Sequence, residues 1–250
     1  MKVNVFHNSE ELGKAAAEFS AHILNKVIAK KGKARIVLST GASQLDTIKL
    51  LVQMDVNWRR VEMFHLDEYI GLPETHPASF RKYLKERFTS LVPLQNANFV
   101  NGEGDITKNI QELTKEIRKE PIDLALIGIG ENAHIAFNDP PANFDTQEAY
   151  IIVNLDEKCK EQQVREGWFP TINDVPSQAI SMTPYQIMQS KVIVCCVPYL
   201  VKANAINWMM NNDVTNQIPA TLLKTHDNIT LFLEDASASK LSKEILEKYR

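Results

Sequence analysis

The chain has 250 residues, of which 44% are hydrophobic and 24% are charged, with a net charge of −3 at neutral pH. These values are ordinary for a globular α/β domain, and without a lysine- or arginine-dense tract they disfavour nucleic acid and anionic membranes as partners. No stretch approaches the roughly 18 apolar residues of a membrane span. The N-terminus also lacks a signal-peptide pattern, so we expect a cytoplasmic protein.

Strand and helix patterns alternate along the chain. Strands are predicted at residues 2–6, 35–39, 61–66, 122–130, 150–155, 191–197 and 228–233. Helices are predicted from Ser9 to the stop at Gly32, over 44–52, 79–92, 106–120, 199–211 and 236–249, and after the cap Thr183. Several strands are apolar on both faces, which favours a mostly parallel sheet with helices on both faces. We expect one domain over 1–250, with a flap or lid at the weakly periodic segment 155–178.

The turn after the second strand reads Ser39, Thr40, Gly41, Ala42, Ser43. Small residues between a strand and a helix let backbone N–H groups and hydroxyls approach an anion such as phosphate. A plain tight turn with a helix cap explains the pattern equally well. The turn is neither a Walker loop nor a GxGxxG fingerprint, so it does not indicate nucleotide binding.

Two further strand ends carry ionisable side chains. Asp67 and Glu68 follow the third strand, where one carboxylate facing the crevice could act as a general base; a solvated turn is the alternative. His134 and Asp139 follow the glycines of strand 122–130, and a histidine with a carboxylate partner can move a proton near neutral pH. This histidine could instead bond only to loop carbonyls. Lys202 could supply a positive charge to a phosphate, or face solvent.

Four segments of the sequence resemble glucosamine-6-phosphate deaminases, which are also called isomerases. These are STGAS (39–43), FHLDEYIGLPETHPASF (64–80), GIGENAHIAFNDP (128–140) and VPYLVKA (197–203). The likeness runs in order over nearly the whole chain. The related 6-phosphogluconolactonases share the glycine-rich strand end and the histidine, but HIAFNDP and DEYIGLP are similar to the deaminases.

The resemblance implies a Rossmann-like α/β fold and a reaction without metal or other cofactor. It implies deaminating aldose–ketose isomerisation of a 2-amino-2-deoxyhexose 6-phosphate. Asp67 would be the base at C2, and His134 would open the ring with Asp139 as its acid partner. Asn132 would hold the imidazole by a hydrogen bond. The substrate and phosphate positions would be Ser39, Thr40, Gly41, Ala42, Ser43, Glu68, Gly130, Ala133, Lys202 and, with a one-residue offset, the lid residue Arg165.

The chain departs from the family pattern around the expected sugar site. Asp139 replaces the usual glutamate, Asn132 cannot supply negative charge, and Ala133 replaces a glycine where positive φ is uncomfortable for alanine. These changes leave room for galactosamine 6-phosphate as the substrate instead of glucosamine 6-phosphate. Basic residues of an activator pocket have no counterpart in 145–153, which predicts no activation by N-acetylglucosamine 6-phosphate.

Two other functions stay open from the sequence. A lactonase-type hydrolase would use His134 without needing Asp67, and a sugar-phosphate sensor would keep the pocket without the chemistry. The sequence does not determine the oligomeric state, and because family members range from monomers to hexamers a homo-oligomer stays open.

Overall fold

The computed structural model describes residues 1–249 and contains two β-sheets surrounded by helices. The strands are β1 (Lys2–Phe6), β2 (Ala34–Leu38), β3 (Val61–His65), β4 (Asp67–Tyr69), β5 (Asn96–Asn98), β6 (Leu124–Ile127), β7 (Tyr150–Asn154), β8 (Gln178–Met182), β9 (Ile193–Val197) and β10 (Ile229–Glu234). The α-helices are α1 (Ser9–Lys31), α2 (Leu45–Leu51), α3 (Phe80–Leu84), α4 (Ile106–Ile117), α5 (Glu157–Arg165), α6 (Pro184–Met188), α7 (Ala203–Asn211) and α8 (Lys243–Lys248). Shorter 3₁₀ segments are Ala42–Gln44, Trp58–Arg60, Ile172–Asp174, Leu200–Lys202 and Pro219–Thr225, and Lys85–Thr89 forms a π-helix.

The large sheet is built from seven parallel strands in the order β1-β10-β9-β6-β2-β3-β5. Alternate residues of its central strands enter two separate apolar clusters, as Cys195 and Cys196 of β9 do. One cluster includes α1 and α2, and the other includes α4, α6 and α7. Helices therefore cover both faces of a parallel sheet, which confirms the α/β fold expected from the sequence.

Helix α1 begins and ends where its capping residues predict. The Asn8 side chain accepts a hydrogen bond from the Glu11 N–H, and Gly32 takes a left-handed conformation with φ 79° at the other end. Lys30 and Lys31 lie in the last turn, where positive charge interacts favourably with the helix dipole.

The second sheet is small and antiparallel, with the order β4-β8-β7. Leu66 joins it to the large sheet, because its N–H donates to Leu38 of β2 and its carbonyl accepts from Met182 of β8. Asp67 follows immediately and is therefore fixed at the junction between the two sheets. The sequence predicted β7 as a strand, but it did not predict β5 or β8 and assigned β4 to a loop.

Two predicted helices are shorter in the structure. In place of the helix expected over 79–92, the α-helix α3 ends at Leu84, and the chain continues as the π-helix Lys85–Thr89. The helix expected over 236–249 is reduced to α8, because Glu234 accepts hydrogen bonds from the N–H groups of Ala236 and Ser237 and folds this segment into turns. Within residues 1–249, none of the helices has the length and apolar character that crossing a membrane requires.

Candidate active site

A polar cleft opens at the carboxyl ends of the central strands of the large sheet. The chain runs outward from β2 through β3 to β5 and then returns to β6 on the other side of β2. Such a reversal leaves a crevice between neighbouring strand ends, where α/β proteins bind ligands. The cleft is lined by Ser39, Thr40, Gly41, Ala42, Ser43, Gln44, Leu66, Asp67, Phe80, Gly128, Ile129, Gly130, His134, Ala136, Phe137, Gln162, Gln163, Glu166, Trp168 and Lys202.

The turn after β2 forms one end of the cleft. Gly41 has φ 93°, a conformation that L side chains rarely adopt, so glycine is needed at this point of the turn. The Tyr83 hydroxyl donates a hydrogen bond to the Gly41 carbonyl at 3.1 Å and thereby stabilises the turn. The Ser39 Oγ atom is buried and has no hydrogen-bond partner within residues 1–249. The turn therefore presents polar groups that a ligand can bind.

Lys202 also lines the cleft, and the turn before it approaches the turn after β2, since the Tyr199 hydroxyl lies 3.5 Å from the Ala42 carbonyl oxygen. Lys202 is only 4% exposed, and burial lowers the pKa of its ammonium group, although the charges of Glu166 and Glu131 oppose that change. No carboxylate in residues 1–249 lies within ion-pair distance of it, so its charge is available to an anion. The preceding Tyr199 has φ 79°, a strained value for an aromatic residue, and this turn directs the chain towards Lys202.

Asp67 and Glu68 are both buried, but only Asp67 lines the cleft. Burial, and then the neighbouring charge of Glu68, raises the pKa of Asp67 to about 8. Within the described chain no hydrogen-bond donor meets its carboxyl oxygens, so the group is desolvated and faces the cleft without a protein partner.

Both carboxylate oxygens of Glu68, by contrast, accept hydrogen bonds from other groups of the protein. Its two oxygens accept hydrogen bonds from the Tyr69 N–H, the Ser79 Oγ–H, the Phe80 N–H and both the N–H and Nε–H of Arg81. The prediction that Glu68 binds substrate therefore has no support in the geometry. Its side chain accepts hydrogen bonds from N–H groups at the start of α3 and does not line the cleft.

His134, Asp139 and Asn132 form one hydrogen-bonded unit after β6. Asp139 Oδ1 lies 2.9 Å from His134 Nδ1 and accepts from Asn132 Nδ2 at 2.9 Å, and Asn132 Oδ1 accepts from the His134 N–H. Burial opposes ionisation of Asp139, but the hydrogen bond and charge of His134, together with Asn132, outweigh it and hold the pKa of Asp139 below its usual range. With Nδ1 engaged, His134 can present Nε2 to the cleft.

Gly130 and Ala133 shape the loop that carries this histidine. A Cβ atom at Gly130 would lie 2.2 Å from His134 Nε2, so only glycine lets the imidazole pack against the backbone. Ala133 adopts φ 66° despite its side chain. Its N–H donates to the Gly130 carbonyl and its own carbonyl accepts from the Ala220 N–H, which hold this strained conformation.

Helix α5 and the residues after it cover the cleft with side chains that the sequence did not indicate. Gln162, Gln163, Glu166 and Trp168 all line it. Their only signal in the sequence is that they fall in the weakly periodic segment 155–178. Cys159, on the same helix, is buried beside Asp139; burial, followed by the charge of that carboxylate, raises the pKa of its thiol.

Arg165 does not line the cleft. Its guanidinium binds Glu131 Oε2 at 2.6 Å, and the side chain is 56% exposed. Of the predicted site residues, the cleft contains Ser39, Thr40, Gly41, Ala42, Ser43, Asp67, Gly130, His134 and Lys202. Asn132 and Asp139 do not line it but belong to the hydrogen-bonded unit of His134, and Ala133, Glu68 and Arg165 also lie outside it. No cluster of three or more potential metal ligands occurs in residues 1–249.

The fold and the cleft define an α/β protein with a polar cleft at a strand-order reversal. A sequence profile described as glucosamine-6-phosphate isomerases/6-phosphogluconolactonase matches residues 7–232. The chain belongs to this enzyme family, which confirms the resemblance seen in its motifs.

Relatives and solved structures match nearly the whole chain. Glucosamine-6-phosphate deaminase of Streptococcus suis strain 05ZYH33 is 35% identical over 242 residues, covering 96% of this chain and 100% of the relative. The enzyme of the same name from Clostridium acetobutylicum is 33% identical, with the same coverage. A solved monomeric glucosamine-6-phosphate deaminase superimposes with a TM-score of 0.88 at 27% identity, covering 96% of this chain and 99% of that one. The 6-phosphogluconolactonase of Trypanosoma brucei has a TM-score of 0.79 at 14% identity, covering 96% and 98%, and shares the fold.

Proposed function

We propose that this protein converts a 2-amino-2-deoxyhexose 6-phosphate and water into a ketose 6-phosphate and ammonia. The observation that carries the proposal is the pairing, in one cleft, of the unpartnered carboxylate of Asp67 with the His134–Asp139 unit. The relatives named glucosamine-6-phosphate deaminase support the same substrate class. Glucosamine 6-phosphate and its C4 epimer galactosamine 6-phosphate are the two candidate substrates.

The phosphate would bind at the turn 39–43. Ser39, Thr40 and Ser43, which carry hydroxyls, and Lys202, which carries an ammonium group, all line the cleft. Because Lys202 is buried, its attraction for a dianion is less screened than it would be in water. The sugar then extends towards Asp67 and His134 at the other end of the cleft.

Ring opening would use His134. Its Nδ1 bonds to Asp139, so Nε2 can take the proton of the anomeric hydroxyl and return it to the ring oxygen. Asp139 and Asn132 hold the imidazole in the orientation that this transfer needs, and the negative charge of Asp139 stabilises the imidazolium that forms.

Isomerisation would use Asp67. The carboxylate takes the proton from C2 of the open chain while the C1 oxygen takes a proton from solvent, giving an enolamine. Asp67 then delivers its proton to C1, giving a protonated ketimine, which returns the borrowed proton to solvent when ammonia leaves. Water then adds to C2 and ammonia leaves, so every atom of substrate and water appears in the products. The raised pKa of Asp67, about 8, makes it a stronger base than an exposed aspartate and suits a proton transfer near neutral pH.

Ammonia release from both amino-sugar phosphates tests this proposal. The wild-type protein is expected to release ammonia from one of them, and Asp67→Asn is expected to slow turnover about 10²–10⁴-fold because a general base is lost. Asp213→Asn, at an exposed position, is the matched control and should retain turnover.

The alternatives predict different results in the same experiment. Hydrolysis of 6-phosphogluconolactone that survives Asp67→Asn, without ammonia release from either sugar, would indicate the lactonase. Binding of an amino-sugar phosphate without any turnover would indicate the sensor.

A further inference from the structure

Gln163 of α5 is held in place by a hydrogen bond from Tyr69. The Tyr69 hydroxyl lies 2.8 Å from Gln163 Oε1, and this contact joins α5 to β4, the strand that begins with Asp67. Tyr69 is completely buried, and its ring packs against three phenylalanine rings. Gln163 is 7% exposed and lines the cleft. A glutamine of the helix that covers the cleft is therefore tied to the strand that presents the proposed base.

This hydrogen bond determines which way the Gln163 amide points. Burial raises the pKa of Tyr69 well above its ordinary value, so its hydroxyl stays protonated and needs an acceptor. Within residues 1–249 this hydroxyl makes one hydrogen bond, to Gln163, and a buried O–H group is rarely left unpaired. The amide therefore turns its oxygen towards Tyr69. Its Nε2 group, with two N–H donors, points away from that hydroxyl.

The nitrogen end of the amide is open to the cleft. Gln163 Nε2 bonds to no group in residues 1–249, and it keeps solvent-accessible surface, in contrast to the buried unpaired atoms in this part of the chain. The neighbouring glutamine differs, because Gln162 Nε2 donates to Glu166 Oε1 at 2.7 Å. A ligand in the cleft can therefore reach the N–H groups of Gln163 without displacing a protein acceptor.

The spacing along α5 places Gln163 between the two ends of the cleft. Cys159, four residues earlier, is buried beside Asp139 of the histidine unit. Glu166, three residues later, acts electrostatically on Lys202. Residues three and four apart share one face of a helix and are separated by roughly 4.5–6 Å along its axis. Gln163 therefore faces the part of a bound sugar phosphate that lies between the reacting carbons and the phosphate, where the oxygen atoms are hydroxyls.

We propose that Gln163 Nε2 donates a hydrogen bond to a hydroxyl oxygen of the bound amino sugar, and that the Tyr69 hydroxyl positions the amide for this contact. The inference rests on the proposed function and deepens it by naming a residue that binds the sugar and not the phosphate. Because the amide is already held in one orientation before the ligand arrives, less conformational entropy is lost on binding than for a free glutamine side chain.

Calorimetry with two kinds of ligand tests the role of Gln163. The reduced sugars 2-amino-2-deoxyglucitol 6-phosphate and its galactitol epimer cannot isomerise, and the one that binds more tightly is compared with inorganic phosphate. Gln163→Met keeps the length of the side chain and removes the amide. It is expected to weaken binding of the reduced sugar about fivefold or more and to leave phosphate binding within about twofold of wild type.

Gln186→Met is the matched control. Gln186 is 6% exposed, lies on α6 and does not line the cleft, so this substitution removes an equally buried amide elsewhere. Both affinities of this variant should stay within about twofold of wild type.

A double substitution tests the positioning role of Tyr69. Tyr69→Phe removes only the hydroxyl and frees the amide to rotate, so it is expected to weaken binding of the reduced sugar about threefold. In the Gln163→Met protein it should have no further effect, because the amide that the hydroxyl positions is absent. Equal weakening by Tyr69→Phe in both backgrounds would show that the hydroxyl supports only the fold, and its positioning role would be wrong.

The remaining outcomes overturn the inference. A folded Gln163→Met protein that binds the reduced sugar like wild type, or that loses both ligands equally, shows that Gln163 does not bind the sugar, as does a wild-type protein that binds neither reduced sugar. Gln163→Leu is made in parallel; if neither variant folds, Gln163 is a structural residue. Ammonia release is measured separately. Its absence in the wild-type protein refutes the proposed function, whereas the binding comparison still decides whether Gln163 contacts the ligand.

Discussion

At the scale of single residues, Asp67 and Glu68 show that environment decides the role of a carboxylate. Two adjacent acids at a strand end project in different directions, so only one of them need face the crevice; the resemblance assigned both Asp67 and Glu68 to the site, and only Asp67 lines the cleft. The sequence could not predict which groups donate hydrogen bonds to Glu68, because Ser79 and Arg81 reach it only once the loop between β4 and α3 has folded. The His134–Asp139 pair was accessible from the sequence because its members are five residues apart.

The buried carboxyl group of Asp67 is expected to lower the free energy of unfolding at neutral and higher pH. Its pKa is about 8 in the folded state and near 3.8 when unfolded, so between these values the folded state holds the extra proton. The free energy of unfolding therefore falls as the pH rises from about 4 to 8. Asp67→Asn removes this pH-dependent destabilisation. The substitution should therefore stabilise the protein more at pH 8 than at pH 5, by on the order of a few kcal/mol.

Urea unfolding of both proteins at the two pH values measures the difference. Asp213→Asn, an exposed change, serves as the control for general charge effects. An Asp67→Asn protein whose advantage over wild type is the same at pH 5 and pH 8 would contradict the raised pKa.

At the scale of elements, the long apolar strands and the capped helix α1 were predictable because their signals are local. The short strands were not. β4 has three residues, β5 is polar, and β8 pairs with β4 across more than a hundred residues of chain. Such strands form because tertiary packing favours them, so periodicity alone does not reveal them. Segment 155–178 was expected as a lid, and its side chains Gln162 and Gln163 do line the cleft.

Phe169 is the residue whose replacement should loosen this segment selectively. It is 3% exposed and its ring packs against Tyr69 at 5.4 Å and His76 at 5.3 Å, outside the two cores of the large sheet. Phe169→Ala removes this anchor, so we expect at least tenfold faster hydrogen exchange in 155–178, unchanged exchange in the large sheet, and a several-fold higher KM.

Hydrogen exchange followed by mass spectrometry, together with steady-state kinetics, makes this measurement. Leu91→Ala, which truncates a side chain that is 58% exposed, is the control. Equal acceleration in 155–178 and in the large sheet would mean that the segment opens only when the whole protein unfolds, and the expectation of a lid would be wrong.

At the scale of the whole molecule, the cleft lies where the two sheets meet. The turn 39–43 follows β2 of the large sheet, whereas Asp67 begins β4 of the small sheet, one residue beyond the link at Leu66. A parallel strand order could be expected from the sequence, and with it a crevice at the strand ends. The small sheet that presents Asp67 could not, because its strands are brought together only by the complete fold.

A ligand that spans the cleft should therefore stabilise both sheets at once. The reduced substrate, a 2-amino-2-deoxyhexitol 6-phosphate, cannot isomerise, and at about 100 times its Kd it should add roughly 2.7 kcal/mol to the free energy of unfolding. We expect it to slow hydrogen exchange in the turn 39–44, in β4 and in the loop that carries His134, because it contacts all three. Inorganic phosphate at matched saturation should protect only the turn and the neighbourhood of Lys202. Equal protection by the two compounds would show that the sugar does not reach Asp67, and would separate the phosphate end of the cleft from the proposed chemistry at the other end.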